Sequence, residues 1–325
     1  MAYAMSDHSG HEPVTVVVAT RNRGQGIVAS IASILSIDYP AFELLVIDQS
    51  TDDRTRAAVC QFRHDPRFRY LRSASKGLGR AHNLAIAQAR SEIIAVTDDD
   101  CLVPPNWLSA IVSAFSADPR VGGIFGTVLA CEYDVTAGYV PIFERARPVT
   151  LTRLEDNLAA GLGIGACFAL RRSIWREVHG FDEMLGPGSP LGSLEDRDMA
   201  LRILLAGYHV SYTPTVQVVH YGFRRNNQLR QLARRDWFGF GSSFAKYLKC
   251  GHWALTPYML REMWIGQAVH QAIHHWRIER RIGRLTPIAS FWCGFAAGLM
   301  VPVDRRTGLF IMIGKTRRQA KTSRQ

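Results

Sequence analysis

Residues 92–100 read Glu-Ile-Ile-Ala-Val-Thr-Asp-Asp-Asp, a short apolar run that ends on three consecutive carboxylates. An apolar run such as Ile93–Val96 is typical of a strand buried inside a parallel sheet. Adjacent negative charges repel one another, so a fold gains nothing by grouping them unless a cation lies between them. Mg²⁺ prefers oxygen ligands, and open α/β sheets bind ligands beyond the carboxyl ends of their strands. The triplet Asp98–Asp100 therefore predicts a binding site, although a solvated acidic turn is the alternative for an isolated triplet.

Three further strands are predicted upstream, each followed by a polar loop and a helical pattern. These strands are Val14–Ala19, Phe42–Ile47 and Phe68–Leu71. Regular strand–helix alternation indicates a doubly wound nucleotide-binding half, in which the loops after the strands meet at one edge. That edge would offer Thr20, Asp48 and Lys76 to the same ligand as the aspartates. There is no Gly-x-Gly-x-x-Gly after the first strand and no P-loop lysine motif, which argues against a dinucleotide dehydrogenase or a P-loop enzyme.

Charge divides the chain into two unequal parts. Residues 1–222 contain 20 Lys or Arg against 24 Asp or Glu, whereas residues 223–325 contain 19 against 4, a net charge of +15. This asymmetry predicts a catalytic part followed by a part that meets an anionic surface. The six cysteines form no Cys-x-x-Cys pair, which argues against a zinc site or a disulfide framework. The polar residues 1–13 have no apolar core, so we expect a disordered N-terminus rather than a secretory signal.

Eight motifs occur in an order that resembles the inverting family 2 glycosyltransferases, over roughly residues 14–221. They are Val-Val-Val-Ala-Thr-Arg-Asn-Arg (16–23), Val-Ile-Asp-Gln-Ser-Thr-Asp-Asp (46–53), Lys-Gly-Leu-Gly-Arg-Ala-His-Asn-Leu-Ala (76–85), Val-Thr-Asp-Asp-Asp-Cys (96–101), Ala-Leu-Arg-Arg (169–172), Gly-Phe-Asp-Glu (180–183), Glu-Asp-Arg-Asp (195–198) and Val-Val-His (218–220). The sequence departs from the family pattern at Arg21, where an aromatic residue is usual, and at Gln49, where a second acid is usual. The resemblance implies an α/β fold of the GT-A type, with a Rossmann-like mixed sheet flanked by helices in residues 14–222.

The resemblance also implies a nucleotide-diphosphate sugar as donor and a divalent metal, Mg²⁺ or Mn²⁺, as cofactor. Asp48 would accept a hydrogen bond from the base, while Asp98 and Asp99 would hold the ribose and help to organise the metal. Asp100 would bind the metal, and His220 would be a further metal ligand or a diphosphate contact. The remaining residues implied at the nucleotide sugar are Thr20, Arg21, Lys76 and Gly77, with Arg80 as an alternative source of positive charge.

A Gly/Pro/Ser-rich loop, residues 186–194, precedes a predicted helix that begins with Glu195 and Asp196. Carboxylates in the first turn of a helix meet the positive end of its dipole, which favours their ionised form. An ionised carboxylate is what a general base needs when a hydroxyl attacks an anomeric carbon. By the resemblance Asp196 is that base and Glu195 supports it; ordinary helix capping is the alternative role for two such acids.

Residues 223–325 are predicted to form a basic, amphipathic helical extension associated with a membrane. Apolar residues recur every four positions from Leu260 to Trp276 beside basic ones, a pattern typical of interfacial helices. Residues 285–303 are uncharged over 19 positions, but Pro287, two glycines and basic flanks on both sides interrupt the pattern of a clean span. We expect a re-entrant or in-plane segment, with a single membrane span or a helix buried against the catalytic part as alternatives.

The leading hypothesis from the sequence is a metal-dependent inverting glycosyltransferase at the cytoplasmic face of a membrane, bound there peripherally or monotopically. Its acceptor would be a hydroxyl on a lipid-linked or cell-envelope glycan. The first alternative is transfer to polyprenyl phosphate, which is already anionic and needs little help from a base. The second is a nucleic-acid-binding protein that uses the basic extension. Bulky Trp and Leu side chains on those helices disfavour a nucleic-acid partner.

Overall fold

The computed structural model describes residues 11–156, 158–262 and 285–312. Its strands are β1 (Val14–Thr20), β2 (Phe42–Asp48), β3 (Phe68–Arg72), β4 (Ile93–Asp98), β5 (Cys101–Leu102), β6 (Val121–Ala130), β7 (Gly138–Tyr139), β8 (Val149–Leu151), β9 (Cys167–Arg171), β10 (His209–His220), β11 (Arg224–Arg225), β12 (Val303–Asp304) and β13 (Leu309–Phe310). Its α-helices are α1 (Val28–Leu35), α2 (Arg54–Val59), α3 (Leu78–Gln88), α4 (Trp107–Ala117), α5 (Leu158–Gly161), α6 (Arg172–Glu177), α7 (Glu195–Leu205), α8 (Leu229–Lys249), α9 (Thr256–Arg261) and α10 (Leu285–Met300).

One mixed sheet forms the centre of the protein, in the order β3-β2-β1-β4-β9-β6-β10-β5, with β8 also paired to β10. Strands β1 to β4 are parallel, whereas β9 is antiparallel to both β4 and β6. The side chains of β1 and β4 are almost entirely buried because helices cover both faces of the sheet. The predicted α/β mixed sheet flanked by helices is confirmed. In register, Thr20 lies beside Asp48, and Ala19 lies beside Asp98, so the ends of three strands meet at one edge.

Strand β10 is longer than the sequence predicts. The apolar run Thr215–Val219, preceded by Pro214, predicts a strand that begins only after the proline, but the strand begins at His209. The pairing with β6 shifts register between Thr213 and Gln217, so Pro214 lies in an irregular part of the ladder, where its missing N–H does not break regular pairing. His220 is therefore the last residue of a long, anchored strand.

Helices α8 and α10 pack against each other through small residues. A Cβ at Gly241 would overlap the carbonyl oxygen of Phe291, and a Cβ at Gly294 would overlap that of Phe238. Glycine at these positions lets the two backbones approach closely. Lys249 donates a hydrogen bond to the carbonyl oxygen of Leu299 (3.0 Å) and so caps the end of α10. The predicted stripe from Leu260 to Trp276 lies mostly outside the described residues.

No helix among the described residues is long and apolar enough to cross a membrane. Within the predicted segment 285–303, the structure describes α10 from Leu285 to Met300.

His82 predicts a pH dependence of stability. The side chain lies on α3 with its ring 5.0 Å from that of Phe181, and burial lowers its pKa from 6.5 to about 4. The unfolded chain takes up this proton near pH 6.5, while the folded chain does so only near pH 4. The free energy of unfolding should therefore fall by about 2 kcal/mol between pH 7 and pH 5 from this group alone.

Urea unfolding of the wild type and of His82→Leu at several pH values measures this effect. The leucine variant should lose less stability than the wild type on acidification, by about that amount. Parallel pH profiles for the two proteins would show that His82 does not carry the effect.

Candidate active site

Strand β4 ends at Asp98, and a tight turn through Asp99 and Asp100 leads directly into β5. Strand β5 pairs antiparallel with the end of β10, which places Cys101 opposite His220. This pairing brings the imidazole to the acidic turn, with His220 Nε2 3.1 Å from Asp100 Oδ1. Ligand atoms of Asp98, Asp100, Cys101 and His220 all lie within 4.8 Å of one another. The structure therefore brings together the three predicted metal ligands, and it adds a cysteine that the sequence analysis did not select.

The imidazole of His220 is held in one orientation. Its Nδ1 lies 3.0 Å from the carbonyl oxygen of Pro141, so Nδ1–H donates and Nε2 of the neutral ring keeps its lone pair. The imidazole is 3 % exposed, and in its neutral form neither Nε2 nor Asp100 Oδ1 receives a hydrogen bond from any described residue; only protonation of Nε2 would pair the two atoms, which lie 3.1 Å apart. Two facing buried acceptors without a donor fit a shared cation, and a histidine that is oriented by a carbonyl is typical of metal sites.

Electrostatics differ between the two carboxylates of this cluster. Burial and the charge of Asp100 raise the pKa of Asp98 to about 6. Burial by itself would raise the pKa of Asp100, but His220 and Arg23 outweigh this effect and lower the pKa to about 2. The neighbouring Asp100 carboxylate raises the pKa of His220, although burial of the imidazole opposes this shift. A proton and a metal ion would therefore compete for Nε2. Asp100 is ionised throughout the physiological range and is the strongest candidate ligand.

Gly222 leaves the space that such an ion would need. A Cβ at this position would overlap His220 Nε2 and lie 2.9 Å from Asp100 Oδ2. Gly222→Ala should therefore displace the imidazole and lower the affinity for Mn²⁺ by about 10- to 100-fold, the usual cost of disturbing a ligand's orientation. Titration followed by the electron paramagnetic resonance of free Mn²⁺ measures the affinity.

Gly26→Ala is the matched control, because among the described residues a Cβ there would come within 4 Å of a single atom, Arg23 Cδ, at an ordinary contact distance of 3.9 Å. An unchanged Mn²⁺ affinity in Gly222→Ala, with the control also unchanged, would contradict this geometry.

Arg23 reaches the acidic turn, whereas the predicted Arg21 is exposed at the surface. Arg23 Nε lies 2.8 Å from Asp99 Oδ1, and its guanidinium also contacts Asp100 Oδ2. Thr20, as predicted for the site, donates a hydrogen bond to Asp99 Oδ2 at 2.6 Å. The backbone reverses at Asn22, which has φ 57°, and so directs the later arginine back to the sheet. Asparagine tolerates this conformation better than most residues, but its presence alone does not indicate which neighbouring arginine faces the sheet.

Asp48 is fully buried at the end of β2. Its carboxylate accepts hydrogen bonds from the backbone N–H of Ser50 (2.7 Å) and from the hydroxyl of Tyr70 (2.6 Å). The role predicted for Asp48 in base recognition stays a prediction.

Gln49 fixes the loop that carries Lys76 and Gly77. Its side-chain amide donates to the carbonyl oxygen of Gly77 (3.1 Å) and accepts from the N–H of the same residue (3.2 Å). A carboxylate could make only the second bond, so the departure from the family pattern has a structural role here. Gly77 has φ 122°, and a Cβ there would lie 2.6 Å from Ser189 Oγ, whereas Lys76 is exposed. Arg80, the alternative cation, pairs instead with Glu183 at 3.3 Å.

Helix α7 places the candidate base against a glycine-rich loop. Asp196 accepts hydrogen bonds from the N–H groups of Gly165 (2.6 Å) and Arg197 (2.7 Å). Burial raises the pKa of Asp196, and these donors oppose the shift. Burial and the charge of Asp196 raise the pKa of Glu195 well above its usual range, and the charge of Asp98 adds to this shift. The pair can therefore hold a proton on Glu195 and leave Asp196 ionised, as a general base requires.

A short chain of contacts joins the base to the acidic turn. Gly165, which bonds Asp196, is followed by Ala166, whose carbonyl oxygen accepts a hydrogen bond from Thr97 Oγ1 at 2.8 Å. Thr97 immediately precedes Asp98. On the other side of the turn, Arg224 Nη1 lies 4.0 Å from Asp100 Oδ2. Carboxylates that can hold a cation and a carboxylate that can accept a proton thus lie at one edge of the sheet, an arrangement that suits transfer from a diphosphate leaving group.

The fold is a mixed sheet flanked by helices, and its candidate site lies where the strands β1, β2 and β4 end. The model of the glycosyl transferase family 2 matches residues 15–178, which is 164 of the 325 residues. The chain belongs to this family.

Similar proteins agree with that assignment. The chain is 22 % identical over 213 residues to the poly-β-1,6-N-acetyl-D-glucosamine synthase of Staphylococcus epidermidis, an alignment that covers 64 % of this chain and 50 % of the synthase. It is 25 % identical over 245 residues to the pre-mycofactocin glycosyltransferase of Mycobacterium tuberculosis, covering 70 % of this chain and 46 % of that protein. The chain thus spans about half the length of these relatives.

Two solved structures share the fold over nearly the whole chain. The mannosyltransferase PcManGT from Pyrobaculum calidifontis, solved with GDP-Man and Mn²⁺, is 20 % identical and superposes with a TM-score of 0.55 over 90 % of this chain and 86 % of its own. TarS 1-349 of S. aureus is 16 % identical, with a TM-score of 0.53 over 95 % of this chain and 92 % of its own. At these identities the similarity shows the fold alone.

Proposed function

We propose that the protein transfers a sugar, with inversion, from a nucleotide-diphosphate sugar to a hydroxyl acceptor in a reaction that depends on a divalent cation. The observation that carries this proposal is a pair of buried atoms at the end of the sheet, Asp100 Oδ1 and His220 Nε2, which face each other as two acceptors without a donor when the imidazole is neutral. Family membership supports the class of reaction. The Mn²⁺ in the mannosyltransferase that shares the fold supports the choice of cation.

Asp98, Asp100 and His220 would hold the cation, which when bound would stabilise the negative charge that develops on the departing diphosphate. Asp196 would take the proton of the acceptor hydroxyl as its oxygen bonds to the anomeric carbon and the bond to the diphosphate breaks. A single displacement of this kind inverts the configuration at that carbon. Glu195 would hold its own proton and limit the negative charge beside the base. Arg23 and Arg224 would add positive charge next to the diphosphate.

A panel of nucleotide sugars tests the proposal. Isothermal titration calorimetry with GDP- and UDP-linked sugars, each with and without Mn²⁺, measures their binding. We expect the sugars of one of the two nucleotides to bind, and to bind only when Mn²⁺ is present. For the variant Asp100→Asn, the control is Asp65→Asn, which removes a partly buried carboxylate whose ion pair in the described part of the chain is with the neighbouring Arg67. Binding of every nucleotide sugar with the same affinity in the presence of a chelator would contradict metal dependence.

We infer that the protein works at a membrane surface, at the cytoplasmic face, and that its acceptor is lipid-linked or part of a cell-envelope glycan. Six of the nine large apolar side chains exposed among the described residues lie between 253 and 311; they are Trp253, Leu260, Trp292, Leu299, Met300 and Ile311. The exposed Arg305 and Arg306 follow the end of α10. Exposed apolar residues beside basic ones suit a surface of anionic lipid.

Flotation with anionic liposomes measures this association. The double variant Trp292→Ser/Met300→Ser should lose most of the binding of the wild type, whereas the control Val135→Ser/Ile142→Ser, which changes exposed apolar residues elsewhere, should keep it. Equal binding by the two variants would exclude this face as the membrane contact.

A further inference from the structure

A buried ion network joins the C-terminal helices to the helix that carries the candidate base. Lys246 on α8 is fully buried, and its ammonium lies 2.8 Å from Asp182 Oδ2 and also contacts Asp198 Oδ1. Asp198 in turn accepts hydrogen bonds from Arg202 Nε (2.9 Å) and from the hydroxyl of Tyr247 (2.9 Å). Two carboxylates and two cations balance in charge, as burial of ions requires.

The network joins four separate parts of the chain, namely the loop after α6, helix α7, helix α8 and strand β13. Asp182 follows Gly180 and Phe181 in the loop after α6, and its Oδ2 also accepts the backbone N–H of Phe310 on β13 at 3.0 Å. Asp198 belongs to the first turn of α7, while Lys246 and Tyr247 belong to α8. A single ammonium therefore fixes α7 against α8 and against the hairpin of β12 and β13.

Helix α8 also supports the loop that leads into α7. Gly192 and Gly239 allow this contact: a Cβ at Gly192 would lie 2.8 Å from the carbonyl oxygen of Arg235, and a Cβ at Gly239 would lie 2.6 Å from the N of Ser193. The loop ends at Leu194, whose φ of 76° turns the chain into the helix. Helix α8 thus contacts both the loop that precedes α7 and the side of the first turn of α7 that carries Asp198.

Within that turn, Asp196 and Asp198 are two positions apart, about 200° around the axis, and so point to roughly opposite sides of the helix. Asp198 contacts α8, whereas Asp196 contacts the loop at Gly165. The contacts of Asp198 therefore fix how α7 is rotated about its axis and where its first turn lies along that axis. The Asp196 carboxylate projects from this same turn. A displacement of about 1 Å in a reacting group can cost about 10²-fold in rate.

We propose that Lys246 is a positioning residue for the transfer reaction, acting through Asp198 to hold the Asp196 carboxylate in place. This inference rests on the proposed role of Asp196 as general base. It makes α8 and the β12–β13 hairpin parts of the catalytic unit rather than a separable membrane attachment.

A double-mutant cycle with Lys246→Met and Asp196→Asn in the full chain tests the proposal. Lys246→Met should lower kcat about 10- to 100-fold while the KM for the donor and the Mn²⁺ affinity change less than about 2-fold. In the Asp196→Asn background the same substitution should change kcat by less than about 2-fold, because there is no longer a base to position. Glu43→Gln, which removes a buried carboxylate from a distant ion pair with Arg69, is the control and should leave kcat unchanged.

The inference would be overturned if the two substitutions lowered kcat independently, so that the loss in the double variant equalled the product of the two single losses. An unchanged kcat in Lys246→Met would overturn it as well. Full activity in Asp196→Asn alone would instead contradict the proposed base, so the two failures are distinct. If Lys246→Met does not fold, Tyr247→Phe removes only the hydroxyl contact to Asp198 and gives the same comparison. A loss of a few-fold that vanishes in the Asp196→Asn background supports the proposal, and a loss that persists there, or no loss, contradicts it.

Discussion

Replacing Asp100 with asparagine is expected to reduce kcat/KM for the donor by about 10³-fold, the scale of removing one group that stabilises transition-state charge. The substitution keeps the size of the side chain but removes the charge opposite His220 Nε2, which lies 3.1 Å from Asp100 Oδ1. It also leaves Arg23 with one carboxylate fewer. The variant should fold, because Asp100 lies in a turn at the edge of the sheet rather than in the core.

Steady-state transfer at a series of Mn²⁺ concentrations measures this effect. The Asp100→Asn variant should need far more Mn²⁺ and should not recover the wild-type rate at saturation, whereas Asp65→Asn should match the wild type. A variant with wild-type turnover at low Mn²⁺ would show that this carboxylate does not serve the metal.

The largest effect on the chemical step is expected for Asp196→Asn, which should lower kcat by about 10²- to 10⁴-fold, the usual contribution of a general base. An asparagine can still accept the hydrogen bond from Gly165 N–H, so the loop should keep its position. Donor and Mn²⁺ should bind as in the wild type, because the acidic turn is unchanged. The effect should therefore appear in kcat and not in the affinity for the donor.

The acceptor decides between the two enzyme hypotheses. A near-complete loss with a hydroxyl acceptor supports the proposed reaction. Transfer to polyprenyl phosphate that is little changed in Asp196→Asn would favour the alternative, in which an anionic acceptor needs no base. Glu195→Gln should have a smaller effect than Asp196→Asn. Glu195 is proposed to be protonated and therefore neutral, so glutamine would replace one neutral side chain with another.

Much of the sheet could be predicted from the sequence because its strands are short apolar runs that end on polar residues. Strand β1, for example, was predicted to within one residue at its C-terminal end. The N-terminal part of strand β10 was not predicted, because a proline inside an apolar segment normally ends a strand. Here a register shift next to Pro214 accommodates the proline, and such a shift depends on the partner strand β6 rather than on the local sequence.

For the candidate site, the sequence predicted which side chains lie close together, while their roles stay predictions. Asp98, Asp100 and His220 could be placed together because strand ends meet at one edge and the family motifs supplied the order. Arg23 could not be distinguished from Arg21, since the difference is one left-handed residue between them. The role of Gln49 could not be predicted either, because its partner Gly77 is 28 residues away and its backbone faces Gln49 only in the folded chain.

Lys246 is the residue that sequence reasoning had least chance of finding. In the sequence it belongs to a basic segment, where a lysine is normally solvated. In the structure it is fully buried, because Asp182 and Asp198 supply compensating charge from motifs far along the chain. Membrane association and the predicted boundary at residue 222 stay predictions, and the liposome and double-mutant experiments address them.

The most direct test of the central claim is anomalous diffraction near the manganese edge from crystals grown with Mn²⁺ and a nucleoside diphosphate. The account predicts a single strong peak within bonding distance of Asp98, Asp100 and His220 Nε2 at the end of β4. A nucleotide bound in the cleft with no manganese at these three side chains, or with the ion held elsewhere, would contradict it.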